Sequence, residues 1–160
     1  RDRSPSRGLG DVYKRQMKRH NARIIAILTL YNIDINHYDR EEAMKCFNDI
    51  QTLEREYEYQ VDIDYTFSQE IVENVVNSLL EIDEIIGKSL VKYTIDRLSY
   101  VDRAIIRVAT YEMLKTKTAK EVVINEALLI TREYSNLDDD AQVKFNNRVL
   151  ENIAKEIYDE

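Results

Sequence analysis

"TFSQEIVENVVNSLLEIDEIIGKSL", residues 66–90, decides the fold class. Ile71, Val75, Leu79, Ile82 and Ile86 advance by four, four, three and four, which gathers them on one side of an α-helix and scatters them over both faces of a strand. Thr66 followed by Gln69 has the spacing of a capping box, and Gly87 is placed to end the helix, so one continuous helix is predicted over about 66–87. The same period recurs on both sides. Upstream, Ile24, Ile27, Leu28 and Tyr31 define one apolar face, and Ala43, Phe47 and Ile50 define another in a helix over about 40–58. Downstream, a short helix is predicted near 90–97. Ser99, with Asp102 three residues on, then caps a helix whose inner face is Val101, Ile105, Val108 and Ala109. Val123, Ala127 and Ile130 belong to a helix over about 120–134. Phe145, Val149, Ile153 and Ile157 belong to one that starts near the acidic "LDDD". No stretch alternates apolar and polar residues between turn signals. The pattern is that of an all-α bundle of about seven helices.

The 160 residues are 44% apolar and 33% charged, enough to bury a core. No apolar run reaches the ~18 residues of a membrane span, and the first sixteen residues have no secretory apolar segment. A lone Cys46 excludes an internal disulfide and fits a cytoplasmic location; beside Phe47 it reads as buried and inert. Those first sixteen residues, "RDRSPSRGLGDVYKRQ", hold the only proline and two of the three glycines. They read as a disordered leader, or as a scar of cloning or of a misplaced gene start, with Met17 as the natural beginning.

Catalytic groups are scarce. One glycine after residue 16 leaves no Gly-rich phosphate cradle, and neither His20 nor His37 has a second ligand at helical spacing. Paired acids such as Glu41–Glu42 and Asp138–Asp140 are ordinary at helix starts. No enzyme activity, metal or cofactor is expected. The charge distribution is more informative: residues 17–23 carry +3, residues 24–90 carry −11 and residues 91–160 carry −2. Within that basic tip, Arg19 and Arg23 share a helical face, flanked by Lys18 and His20. Cations at a helix start oppose its dipole, so the cluster is either a phosphate contact or simply a solvated end. Arg103, Arg107, Lys115, Lys117 and Lys120 form a second basic grouping, in which Arg103 and Arg107 share a face and ion pairs with Asp102 and Glu112 are the plainer account.

"ARIIAILTLY" (22–31), "VDRAIIRVATYEML" (101–114), "VVINEALLITREY" (122–134) and "KFNNRVLENIAKEI" (144–157) resemble, in order and spacing, the successive motifs of the NusB family of bacterial transcription antitermination factors. The resemblance implies two packed helical subdomains, here 17–88 and 89–160. It also implies an RNA-binding adaptor for ribosomal RNA operons, which binds boxA single-stranded RNA with the ribosomal protein NusE and joins the RNA polymerase antitermination complex. RNA contact is then expected at Lys18, Arg19, His20 and Arg23, with Arg23 the best anchored and Arg103, Arg107 and Lys117 as secondary contacts. Tyr31 and Glu112 are expected to face the partner, and Asn125 and Glu126 to be structural, bridging helices. The chain departs from the family pattern at "FNNRVL", where Asn147 matches an asparagine and Arg148 replaces a glycine, so local packing is expected to be rearranged. A helical protein–protein module without RNA binding is the alternative. The RNA-binding appendage of a methyltransferase is disfavoured, because no cofactor-binding fold accompanies it.

Overall fold

The computed structural model describes residues 5–56, 62–135 and 139–158. Among them the regular structure is entirely helical: α1 (Pro5–Asn36), α2 (Arg40–Glu56), α3 (Tyr65–Asn77), α4 (Leu79–Ser89), a 3-10 turn (Ile95–Arg97), α5 (Tyr100–Lys115), α6 (Lys120–Tyr134) and α7 (Ala141–Tyr158). The centre is α5, which packs on α1, α3, α4, α6 and α7 and buries residues on nearly every side. Ser99 caps it as its spacing predicts, accepting from the Asp102 N–H at 3.1 Å and donating to the Asp102 carboxylate at 2.7 Å.

The predicted helix over 66–87 is two helices. Its apolar ladder is right, with Ile71, Val75, Ile82 and Ile86 fully buried. The chain nevertheless breaks at Ser78, because α3 packs on α1 while α4 packs on α7, and one straight rod cannot serve both. The N-cap is Asp64 rather than Thr66: its carboxylate accepts from the Phe67 N–H at 3.0 Å, and Gln69 instead donates to Glu73. Gly87 lies inside α4, which continues to Ser89.

In α1 the buried face is also displaced from the expected one. Ala22, Ile25, Ala26, Thr29 and Leu30 are inside, whereas Leu28 is 40% exposed. Three helices (α2, α3 and α5) approach α1, and its small residues allow that close approach. Of residues 1–16, expected as a disordered leader or a scar of cloning or of a misplaced gene start, 1–4 lie outside the described residues, and 5–16 are helical and continue α1, although every described side chain from Gly8 to Arg19 is exposed. Extending a helix already anchored from Ala22 onward needs no new nucleus, and Pro5 is compatible with a first helical position. The expected boundary near residue 88 falls at the end of α4. Across it α1 and α3 pack on α5, and α4 packs on α7.

Candidate nucleic-acid interface

The four basic-tip residues divide by depth. Lys18 and Arg19 are exposed, His20 is half-buried, and Arg23 is only 4% exposed. Arg23 lies in register with Ala26, Ile27 and Leu30, so the helix that buries those carries its guanidinium inward. There it forms a two-pronged pair with Glu112 of α5, Nε to Oε2 at 2.7 Å and Nη2 to Oε1 at 2.9 Å. Its Nη1 donates to Glu126 Oε1 of α6 at 3.0 Å, and His20 Nδ1 meets the same oxygen at 3.0 Å. Arg23 therefore ties three helices together, and it also lines the cleft between α1 and α6. Glu112, expected to face a partner, is 1% exposed and anchors Arg23 instead. Glu126 bridges helices, as expected.

Titration in this cluster follows its charges. The hydrogen bond to Glu126 raises the His20 pKa; burial opposes it, and the charges of Glu126 and Glu133 add to it. Burial alone would raise the Glu126 pKa, but the hydrogen bond and charge of His20, together with Arg23, bring it below the usual carboxylate value. Burial works against charge on Arg23 too, yet Glu112 and Glu126 hold it protonated even more firmly than in water. One guanidinium faces two carboxylates, and the raised pKa of His20 favours the protonated form that would balance the second.

Phe67, at the start of α3, is the shelf on which the arginines sit. Its ring lies 4.2 Å from the Arg19 guanidinium carbon and 5.2 Å from that of Arg23. The shelf is tied to α1 by the Asp64 N–H donating to the Lys18 carbonyl at 3.2 Å, and by the Ser68 hydroxyl donating to the Ala22 carbonyl at 2.9 Å. Arg19 is thus held against an aromatic face without a carboxylate partner among the described residues, and its charge stays available. It opens onto a cleft of about 520 Å³ between α1 and α6, where Arg15, Thr118, Glu121 and Asn125 also line the wall. Glu112 and Glu126 are both paired with Arg23, and Glu126 also meets His20.

The secondary basic grouping is mostly structural. Arg103 Nε donates to Asp34 at 2.7 Å, and Arg107 forms a two-pronged pair with Asp83 at 2.8 and 2.9 Å. Their partners are not the expected Asp102 and Glu112. Asp102 accepts from Ser135 at 2.6 Å and from Asn146 at 3.0 Å. Lys115 and Lys117 of that grouping are exposed, and Lys115 pairs with Glu81 at 3.0 Å. In α7 the buried asparagine is Asn146, while Asn147 and Arg148 both face outward, so the arginine needs no repacking. Cys46 is half-buried, with its thiol pKa raised by burial and by Asp49.

A further surface runs along α1. Ile24 and Tyr31 are half-buried, and Leu28 and Ile35 are exposed at 40% and 38%; the four advance by four, three and four and so form one stripe. Tyr31 meets the exposed Tyr100 edge-on, with centroids 6.4 Å apart.

The NusB family model matches residues 20–155. The transcription antitermination protein NusB of Staphylococcus epidermidis is 37% identical over 139 residues, covering 86% of this chain and 98% of that protein. NusB of Thermotoga maritima superposes with a TM-score of 0.70 at 29% identity, covering 86% of this chain and 90% of that one. A chain from a crystal structure of the antitermination factors NusB and NusE with double-stranded RNA superposes with a TM-score of 0.68 at 29% identity, covering 86% and 96%.

Proposed function

The chain belongs to the NusB family of transcription antitermination proteins, and on that premise we propose that it is a non-enzymatic, cytoplasmic RNA-binding adaptor. It binds the boxA segment of ribosomal RNA leader transcripts together with the ribosomal protein NusE and so joins the RNA polymerase antitermination complex. The observation that carries the reading is Arg19, seated on Phe67 with no carboxylate partner among the described residues, beside a cleft whose acids Glu112 and Glu126 are both paired with Arg23. The solved relative in complex with NusE and RNA supports the same pairing of partners.

Direct phosphate contact falls to Lys18 and Arg19. His20 and Arg23 act from beneath, as positioning residues that fix α1 against α5 and α6. Each phosphate contact on single-stranded RNA contributes about −0.7 to the salt slope, so two or three contacts give weak binding by themselves. A basic partner attracted by the acidic residues 24–90 supplies the rest. The stripe Ile24–Leu28–Tyr31–Ile35, with Tyr100 beside it, is the surface for that partner.

The test is fluorescence anisotropy with a boxA RNA and a scrambled one, with and without NusE. NusE should tighten binding of boxA RNA and not of the scramble, and Tyr31→Ala should abolish the tightening. Absence of RNA binding in every mixture would leave a protein–protein module and overturn the reading.

A further inference from the structure

The cleft beside Arg19 has two unlike walls. Arg15 and Arg19 line it from α1 with positive charge, whereas Glu121, Val122 and Asn125 line it from α6 and none of them is cationic. A single strand laid in the cleft turns its phosphates to α1, so its bases meet α6. We propose that Asn125 reads sequence in this site by pairing its side-chain amide with adenine, and that Glu121 and Val122 complete the wall that faces the bases.

This rests on the RNA-binding reading above, and three features of α6 carry it further. The first is an open amide. Asn125, expected to bridge helices, is exposed, and its side chain makes no hydrogen bond among the described residues. Other asparagines within helices turn back on the backbone: Asn32, Asn36 and Asn74 donate to carbonyls four residues earlier, at 2.9, 2.8 and 2.7 Å. Asparagine is a poor helix former, and one held mid-helix with donor and acceptor both open is suited to an outside partner. The second feature is that the wall is fixed in advance. Val123, Ile124 and Ala127 are buried and set the rotation of α6, and Glu126, next to Asn125, accepts from Arg23 at 3.0 Å. Asn125 is thereby held in register with α1 before any ligand arrives.

The third feature is the choice of neighbours, which decides the base. Val122, one turn before Asn125 and 48% exposed, offers an apolar contact to the face of a base. Glu121, four residues before Asn125, shares its side of the helix. A carboxylate accepts and cannot donate, so it favours an exocyclic amino group and opposes the carbonyl edges of uracil and guanine. Adenine and cytosine carry that amino group, and adenine is the base whose N6–H and N7 an asparagine amide engages together.

Unlabelled oligo(A), oligo(U) and oligo(C) of one length compete against labelled boxA RNA, with NusE present. On the wild type, oligo(A) should compete about tenfold better than oligo(U), within the range for a bidentate contact between an amide and a base. On Asn125→Ala that advantage should vanish, with the salt slope unchanged because no charge is removed. Thermal unfolding should be no lower, since alanine is the better helix former. An oligonucleotide of 7-deazaadenosine, which lacks the N7 acceptor, should likewise lose the advantage on the wild type. Absence of a preference for oligo(A), a greater preference for oligo(C), or a preference that survives Asn125→Ala overturns the assignment. If Arg19→Ala still weakens all three oligonucleotides with a shallower slope, the RNA-binding reading stands without it. If neither variant alters binding, the cleft is not the RNA site and the assignment falls with it.

Discussion

Arg19 and Arg23 stand one helical turn apart in the same basic cluster, and they do opposite work. Arg19 lies on the surface over an aromatic ring, with no acid paired to it among the described residues. Arg23, at 4% exposure, is locked to two carboxylates on two other helices. A guanidinium paired in this way has three of its five N–H donors taken by carboxylates, whereas one resting on a ring keeps them all. The difference teaches that a count of cations locates a region, and that burial then decides which cations bind and which build. The two roles are complementary: without Arg23 and His20 below, Glu112 and Glu126 would set negative charge under the surface where RNA is to lie.

The comparison breaks most sharply at its buried end. Arg23→Ala leaves Glu112 buried without its partner and should destabilise the fold by about 3–5 kcal/mol, measured by urea unfolding. Arg19→Ala should change stability by no more than about 0.5 kcal/mol. Equal effects would erase the distinction between the two arginines.

A smaller loss is expected at the Asp102 junction, which is buried but holds no buried cation. Asp102→Ala strands the donors of Ser135 and Asn146 and should cost about 1–3 kcal/mol in the same assay. A loss under about 0.5 kcal/mol would show that these donors find other partners.

The half-buried His20 sharpens the contrast through pH. Its pKa is raised from 6.5, so its contribution to stability is complete below about pH 6.5 and is lost as pH rises through the higher folded value. Glu126, lowered from 4.5, contributes above about pH 4.5 and loses that contribution as pH falls through its lower folded value. The contact is therefore whole between about pH 4.5 and 6.5. His20→Gln should fall furthest below wild type in that window and approach it at alkaline pH. A pH-independent difference would contradict the assignment of His20 as the cluster's balancing charge.

Much of this was readable from spacing. The Val123–Ala127–Ile130 ladder and the Ser99 cap mark α6 and the start of α5 correctly, because strong periodicity and a capping serine act locally. The errors arise where polar residues sit on buried faces. In α1 the inner face is built of Ala22, Ala26, Thr29 and Arg23, so hydrophobicity points toward the exposed Leu28 instead. A signal for the buried pair was nevertheless present. Glu112 follows Val101, Ile105 and Val108 by steps of four, three and four, a carboxylate at a core position that requires a buried cation. Arg23 shares the register of Ala26, Ile27 and Leu30. Asn146, in register with Leu150 and Ile153, could have been found in the same way. The break at Ser78 had no such local mark, since it answers to which helices α3 and α4 must each reach.

The most direct test of the central claim is the salt dependence of boxA RNA binding, with NusE present, for wild type and for Lys18→Ala/Arg19→Ala. The double variant should bind more weakly, with unchanged thermal unfolding and a slope shallower by about 1.4, the value for two phosphates no longer neutralised. An unchanged slope would mean that the exposed end of the basic cluster is solvated helix and that the RNA lies elsewhere.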